Sequence, residues 1–166
     1  MTERWLGGPV DGVPALLQPV AHALLQAKDD AAGAVAGLDA SQLWLTPGGA
    51  ASVGYHLRHM SGSLDRLFTY GRGEALSPEQ LAALKGEREP GNPSLDAAAI
   101  MAIVDAAIER ALAQLRATNP DTLLDDRRVG RQGLPSTVIG LLFHAAEHTT
   151  RHTGQAITTA KIVRAS

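Results

Sequence analysis

The chain contains no cysteine. Disulfides, cysteine-based zinc sites and catalysis by a protein thiolate are therefore excluded, and any metal must be held by histidine or carboxylate. Aromatic residues are scarce at 4%, while alanine and leucine dominate a hydrophobic fraction of 45%. That bias favours helices over sheets. No apolar run approaches the roughly 20 residues of a membrane span, and the N-terminus lacks a basic segment followed by an apolar one. A soluble, cytoplasmic protein without a membrane partner is expected. The formal charge is only −2, with Lys and Arg spread along the chain, so no basic field for nucleic acid exists and nucleic-acid binding is set aside.

A length of 166 residues suits one domain and is enough to bury a core without disulfides. The expected domain spans residues 1–166, with residues 1–13 as an irregular N-terminal arm and the one candidate for a disordered segment. Apolar positions at helical spacing then mark four helices. The first runs from Pro14 to about Gly37, with Pro19 inside the pattern, so that it starts there or kinks. His22, without a histidine partner at helical spacing, reads as a core-edge or surface residue. After a connection from Leu38 to Gly49, the second helix starts near Ser52, a suitable cap, and runs to about Tyr70, with Gly71 and Gly73 as stop signals. The third runs from Ser94 to about Ala117. The fourth begins around Pro135-Ser136 and reaches roughly Ile162. Between them, Thr122 to Leu134 holds the charge run Asp125-Asp126-Arg127-Arg128 and reads as a polar loop or a short hairpin.

Four amphipathic helices without convincing strands predict an all-α four-helix bundle. Short links join antiparallel neighbours, whereas parallel neighbours need a connection that travels back along the bundle. The stretch from Glu74 to Pro93, in which Ser77-Pro78-Glu79-Gln80 can cap a turn or two of helix, is long enough to do so. An up-down-down-up order with a long crossover between the second and third helices follows, with up-down-up-down as the rival.

The densest chemistry lies in the last helix, where His144, His148 and His152 follow at steps of four. Each lies about 40° round from the one before, so they form a narrow stripe, and two imidazoles at i and i+4 can reach one small cation. A third ligand must come from elsewhere. The second helix offers His56 and His59 near its middle, level with His148 if the two helices run antiparallel. His56 lies nearer the centre of the apolar face and His59 on its polar flank. Because His148 and His152 also sit at the edge of their apolar face, periodicity leaves both open.

The segment Tyr55-His56-Leu57-Arg58-His59-Met60, followed by Leu64-Asp65-Arg66-Leu67, together with His148-x-x-x-His152-Thr153-Gly154-Gln155, resembles the DinB-like (YfiT-type) superfamily of metal-dependent proteins. The likeness covers roughly Pro14 to Lys161, and its most specific part is the late His-x-x-x-His-x-Gly-Gln. The resemblance implies an up-down-down-up bundle that commonly forms a homodimer. It also implies a divalent metal on His59, His148 and His152, and so selects His59 over His56. Many members carry arginine where this chain has Thr153, so that arginine's role does not carry over.

Three neutral imidazoles leave coordination positions open, as in a catalytic zinc site, and zinc or nickel suits such ligands. An open position can activate water for hydrolysis or hold a substrate thiolate. Some relatives resemble thiol-dependent S-transferases; with no cysteine here, the sulfur would come from a low-molecular-weight thiol cosubstrate acting on a small-molecule substrate. The alternative is a non-catalytic, stress-related helical dimer that binds a metal or ligand, or three hydrogen-bonded histidines without metal. His144-Ala145-Ala146-Glu147-His148 also matches H-x-x-E-H, the inverted zinc-protease signature, but His152 extends the stripe beyond it. His144 then reads as a neighbour of the ligands, Glu147 as a solvated or interface carboxylate, and Gln155 as either a helix-surface amide or a partner that orients His152.

Overall fold

The computed structural model describes residues 2–91 and 93–165. Met1 of the expected arm, Asn92 of the expected crossover and Ser166 at the end of the expected domain lie outside the described residues. The described residues are mainly helical: α1 (Gln18–Val35), α2 (Ala40–Trp44), α3 (Val53–Gly71), α4 (Pro78–Gly86), α5 (Ala97–Ala117) and α6 (Val138–Arg164). One antiparallel hairpin, β1 (Asp126–Val129) with β2 (Leu134–Thr137), is added to them. The long helices α1, α3, α5 and α6 are the four read from periodicity.

Helix starts follow the side chains that satisfy their first amides. Ser52 accepts from the Tyr55 amide and opens α3. Pro19 lies in the first turn of α1, where its missing N–H costs nothing, so the helix starts at the proline rather than kinking there. Asp96, not Ser94, caps α5 through the Ala99 amide. The fourth long helix also starts later than expected, because Pro135 and Ser136 belong to β2 and Thr137 is the cap, accepting from Gly140. The hairpin itself caps α6: the Val138 and Ile139 amides donate to the carbonyls of Asp125 and Leu123 at 3.2 and 2.9 Å. Its turn needs positive φ at Gly130 and Gly133, which glycine adopts without strain. Asp126, Arg127 and Arg128 of the charge run are therefore strand, and Arg127 donates to the Gly71 carbonyl at the end of α3.

Two short helices complete the connections. Asp39 and Gln42 form a capping box on α2, and Ser77 and Gln80 form another on α4. Gln80 also donates to Asp65 Oδ2 and Thr69 Oγ1 at 2.7 and 2.8 Å, which fastens the crossover to α3. The arm is docked rather than loose. Arg4 Nε pairs with Asp29 at 2.5 Å, Gln18 takes the Val10 amide, and His22 Nε2 bonds the Gly8 carbonyl at 2.9 Å.

Leu24, Leu57, Met60, Leu64, Ile100, Val104, Ile108, Leu115 and Leu142 fill the core with almost no aromatic area. Each such side chain contributes about 1.5–3 kcal/mol on burial. Buried alanines on α1 and α6, among them Ala21, Ala31, Ala145 and Ala156, let these helices approach closely. Helix α3 packs against α6 and α5, and α1 against the same two. Gln114 donates to the Phe68 carbonyl at 2.9 Å, tying α5 to α3, and Arg164 donates to the Ala34 carbonyl at 2.7 Å, tying α6 to α1. Trp44 packs flat on Gly54, where a β-carbon would come within 2.8 Å of the indole. Among the described residues no helix is long and apolar enough to cross a membrane.

Candidate metal centre

The broad contact between α3 and α6 brings His59, His148 and His152 together, with one ligating nitrogen of each within 4.8 Å of the others. His59 Nε2 and His148 Nε2 are 3.0 Å apart. The His152 ring centre lies 4.5 Å from that of His59 and 4.5 Å from that of His148. The rotation of the helix explains the choice within the stripe. Steps of four residues move about 40° toward the α3 seam, so His144 is exposed while His148 and His152 are half-buried. His144 turns instead to Glu147, at 3.3 Å.

His56 is more deeply buried than His59, as its place on the apolar face requires, and it does join the site. Its Nδ1 lies 3.0 Å from His152 Nδ1, so one of the two must carry the shared proton. When His152 donates, its Nε2 lone pair is left for a ligand. His59 is fixed more firmly. Its Nδ1 meets Oε2 of Glu87 at 2.7 Å, and the other carboxylate oxygen takes Arg66 Nη1 at 2.6 Å. A carboxylate only accepts, so Nδ1 holds the proton and the Nε2 lone pair faces His148. Glu87 is 4% exposed and Arg66 9%. Burial works to raise the Glu87 pKa, but hydrogen bonds from His59 and Arg66 outweigh it and hold the group below the usual carboxylate value.

Electrostatics keep the other imidazoles neutral. Burial first, and the neighbouring His59 second, push both His148 and His152 down to about 4. The same two causes lower His56. Neutral imidazole is the form that binds a cation. Tyr55 stacks on His59 at 5.4 Å between ring centres and meets His152 edge-on, while Thr153 bonds Met60 Sδ at 3.3 Å in the buried seam.

The remaining sequence candidates stay outside the cluster. Glu147 is exposed and bonded to Arg151, so the protease-like H-x-x-E-H reading finds no base at a metal. Gln155 is exposed, and the partner at His152 is His56. Arg127 is tied to Gly71, roughly 18 Å along α3 from His59. A groove of about 620 Å³ lined by Trp5, Ala23, Ala27, Thr153 and Ile157 lies between α1 and α6 and includes none of the three histidines. Sequence reasoning missed Glu87 and Arg66. Glu87 stands in Gly86-Glu87-Arg88-Glu89, where nothing local separates a buried carboxylate from a solvated one.

These observations define a helical protein with a three-histidine group that could bind a metal ion: three imidazole donors converge, and the bond to Glu87 fixes the tautomer of His59. Among the described residues the group whose donor atoms all converge is limited to these three; His56 touches it through His152 alone. The sequence profile of the DinB superfamily matches residues 23–156, a span that includes all three histidines, and the chain belongs to that superfamily. No curated protein matches the chain.

Proposed function

We propose that the protein is a metal-dependent enzyme in which His59, His148 and His152 hold a divalent ion, zinc or nickel. The observation that carries this reading is the set of three converging donors, with no fourth converging on them among the described residues, which leaves room for an exchangeable ligand. Bound there, the ion would act as a Lewis acid, lowering the pKa of a water or thiol that it coordinates. Glu87 keeps the His59 proton on Nδ1, and the partial burial of His148 and His152 keeps both rings neutral. Tyr55 covers the His59 face and limits water there. Because the chain has no cysteine, a nucleophilic sulfur would be brought by a low-molecular-weight thiol, for S-transfer to a small molecule; activation of a bound water for hydrolysis is the alternative reaction.

The reading includes an up-down-down-up bundle, supported by the Gln114–Phe68 bond between the C-terminal ends of α5 and α3 and by the Arg164–Ala34 bond between those of α6 and α1. It also includes a homodimer, supported by the exposed apolar side chain of Phe143, which lines a groove between α1 and α6 with Val20 and Ala23. Phe143→Glu should then yield a monomer in analytical ultracentrifugation.

The decisive measurement is elemental analysis of protein purified without an affinity tag. One equivalent of metal in the parent, lost in His59→Ala and His148→Ala, is the expected result. Failure to hold stoichiometric metal after reloading with zinc and with nickel would end the proposal.

A further inference from the structure

Four arginines surround the centre, and three are committed. Arg66 is paired with Glu87, Arg151 with Glu147, and Arg58 donates to the Glu89 carbonyl. Arg88 is different. It is exposed and, among the described residues, has no carboxylate or carbonyl partner; its guanidinium lies over the Tyr55 ring, 4.5 Å from the ring centre. A guanidinium stacked in this way keeps its edge N–H groups free to donate.

Its position is also fixed from both sides. The preceding residue, Glu87, is buried and held by His59 and Arg66, which anchors the backbone from which Arg88 extends. Tyr55 in turn stacks on His59, with ring planes 16° apart. The chain His59–Tyr55–Arg88 therefore keeps a cation no more than about 10 Å from the His59 ring centre. A ligand with one atom at the histidines and an anionic group a few bonds away spans that interval.

We propose that the substrate or thiol cosubstrate carries a carboxylate, which pairs with Arg88 on the Tyr55 platform while its reactive end reaches His59, His148 and His152. A single guanidinium matches one carboxylate in charge and in its two-pronged geometry, whereas a phosphate dianion would call for further donors that the described site does not offer. This inference rests on the metal-dependent reading above and adds the class of molecule that the centre accepts.

The test uses the full chain loaded with Co²⁺, whose thiolate charge-transfer band reports ligand binding directly. The probes are mercaptocarboxylates with one to five methylenes, the uncharged mercaptoethanol and the cationic cysteamine. The parent should prefer a mercaptocarboxylate of one chain length and bind cysteamine worst. Arg88→Gln should lose roughly ten-fold or more in affinity for that mercaptocarboxylate, the range of a charge-assisted hydrogen bond, with mercaptoethanol changed less than about two-fold. Arg88→Lys should recover part of the loss. Equal losses for charged and uncharged thiols, or none for either, would overturn the carboxylate assignment and leave the metal centre standing. Absence of Co²⁺ bands in the parent would overturn both.

Discussion

Glu87 lays its carboxylate directly against Gly62 of α3, so close that a β-carbon on residue 62 would overlap Oε1. The glycine thus opens the space through which the crossover reaches His59. In an ordinary exposed helix position, glycine to alanine stabilises by roughly 0.5–1 kcal/mol. Here the sign should reverse. Gly62→Ala should destabilise by about 1–3 kcal/mol, as overpacked sites do, and should weaken metal binding because the carboxylate is displaced from His59 Nδ1. Urea denaturation and a competitive zinc titration measure the two effects. A stabilised variant with unchanged affinity would show that the contact is dispensable.

Removing the carboxylate itself separates orientation from stability. Glu87→Ala leaves Arg66 charged and 9% exposed without its partner, and should cost about 3–5 kcal/mol. Glu87→Gln keeps an acceptor for His59 and should fold better, yet lose roughly 10–100-fold in metal affinity because the oriented charge is gone. Unaltered affinity in Glu87→Gln would assign the carboxylate to holding the crossover alone.

The legibility of this architecture in the sequence follows the range of the interactions. Ser52 and the Ser77–Gln80 box are readable because a cap and its amide are three residues apart. The stripe of His148 and His152 is readable because helical rotation is fixed. Short α2 was not, since five residues carry too little periodicity, and neither was the late start of α6, which depends on β1 pairing with β2. Periodicity alone could not separate His56 from His59, because both contribute: the buried one bonds His152 and the half-buried one faces His148. Glu87 lies 28 residues from His59, and only the crossover's path makes them neighbours.

The lowered pKa values carry a pH signature. In the unfolded chain His148 and His152 titrate near 6.5, whereas in the folded protein both are pushed down to about 4. Between these values the unfolded chain binds protons that the folded chain does not, so metal-free protein loses stability as the pH falls from about 6.5 toward 4. Above pH 6.5 these two residues contribute no slope. Denaturation in chelator at pH 7 and pH 5 should show the loss in the parent and a smaller one in a His148→Ala, His152→Ala double variant. Parallel losses in both proteins would place the pH dependence elsewhere.

Metal removal should destabilise the whole fold. The two helices that would share the ion, α3 and α6, also form the broadest helix contact in the fold, so occupancy should register in global stability. A ligand that binds only the folded state adds about 4 kcal/mol at a thousand-fold excess over its Kd. For a chain of this size each kcal/mol moves Tm by about 2–4 °C, so chelation of the zinc- or nickel-loaded protein should lower Tm by roughly 10 °C. His59→Ala should start near the chelated value and respond little to chelator, since two histidines on one helix bind more weakly than three donors from two helices. His22→Ala, on the α1 surface near the arm, should keep the full response. A loaded parent whose Tm is indifferent to chelator would mean that the three histidines do not share an ion in the folded state.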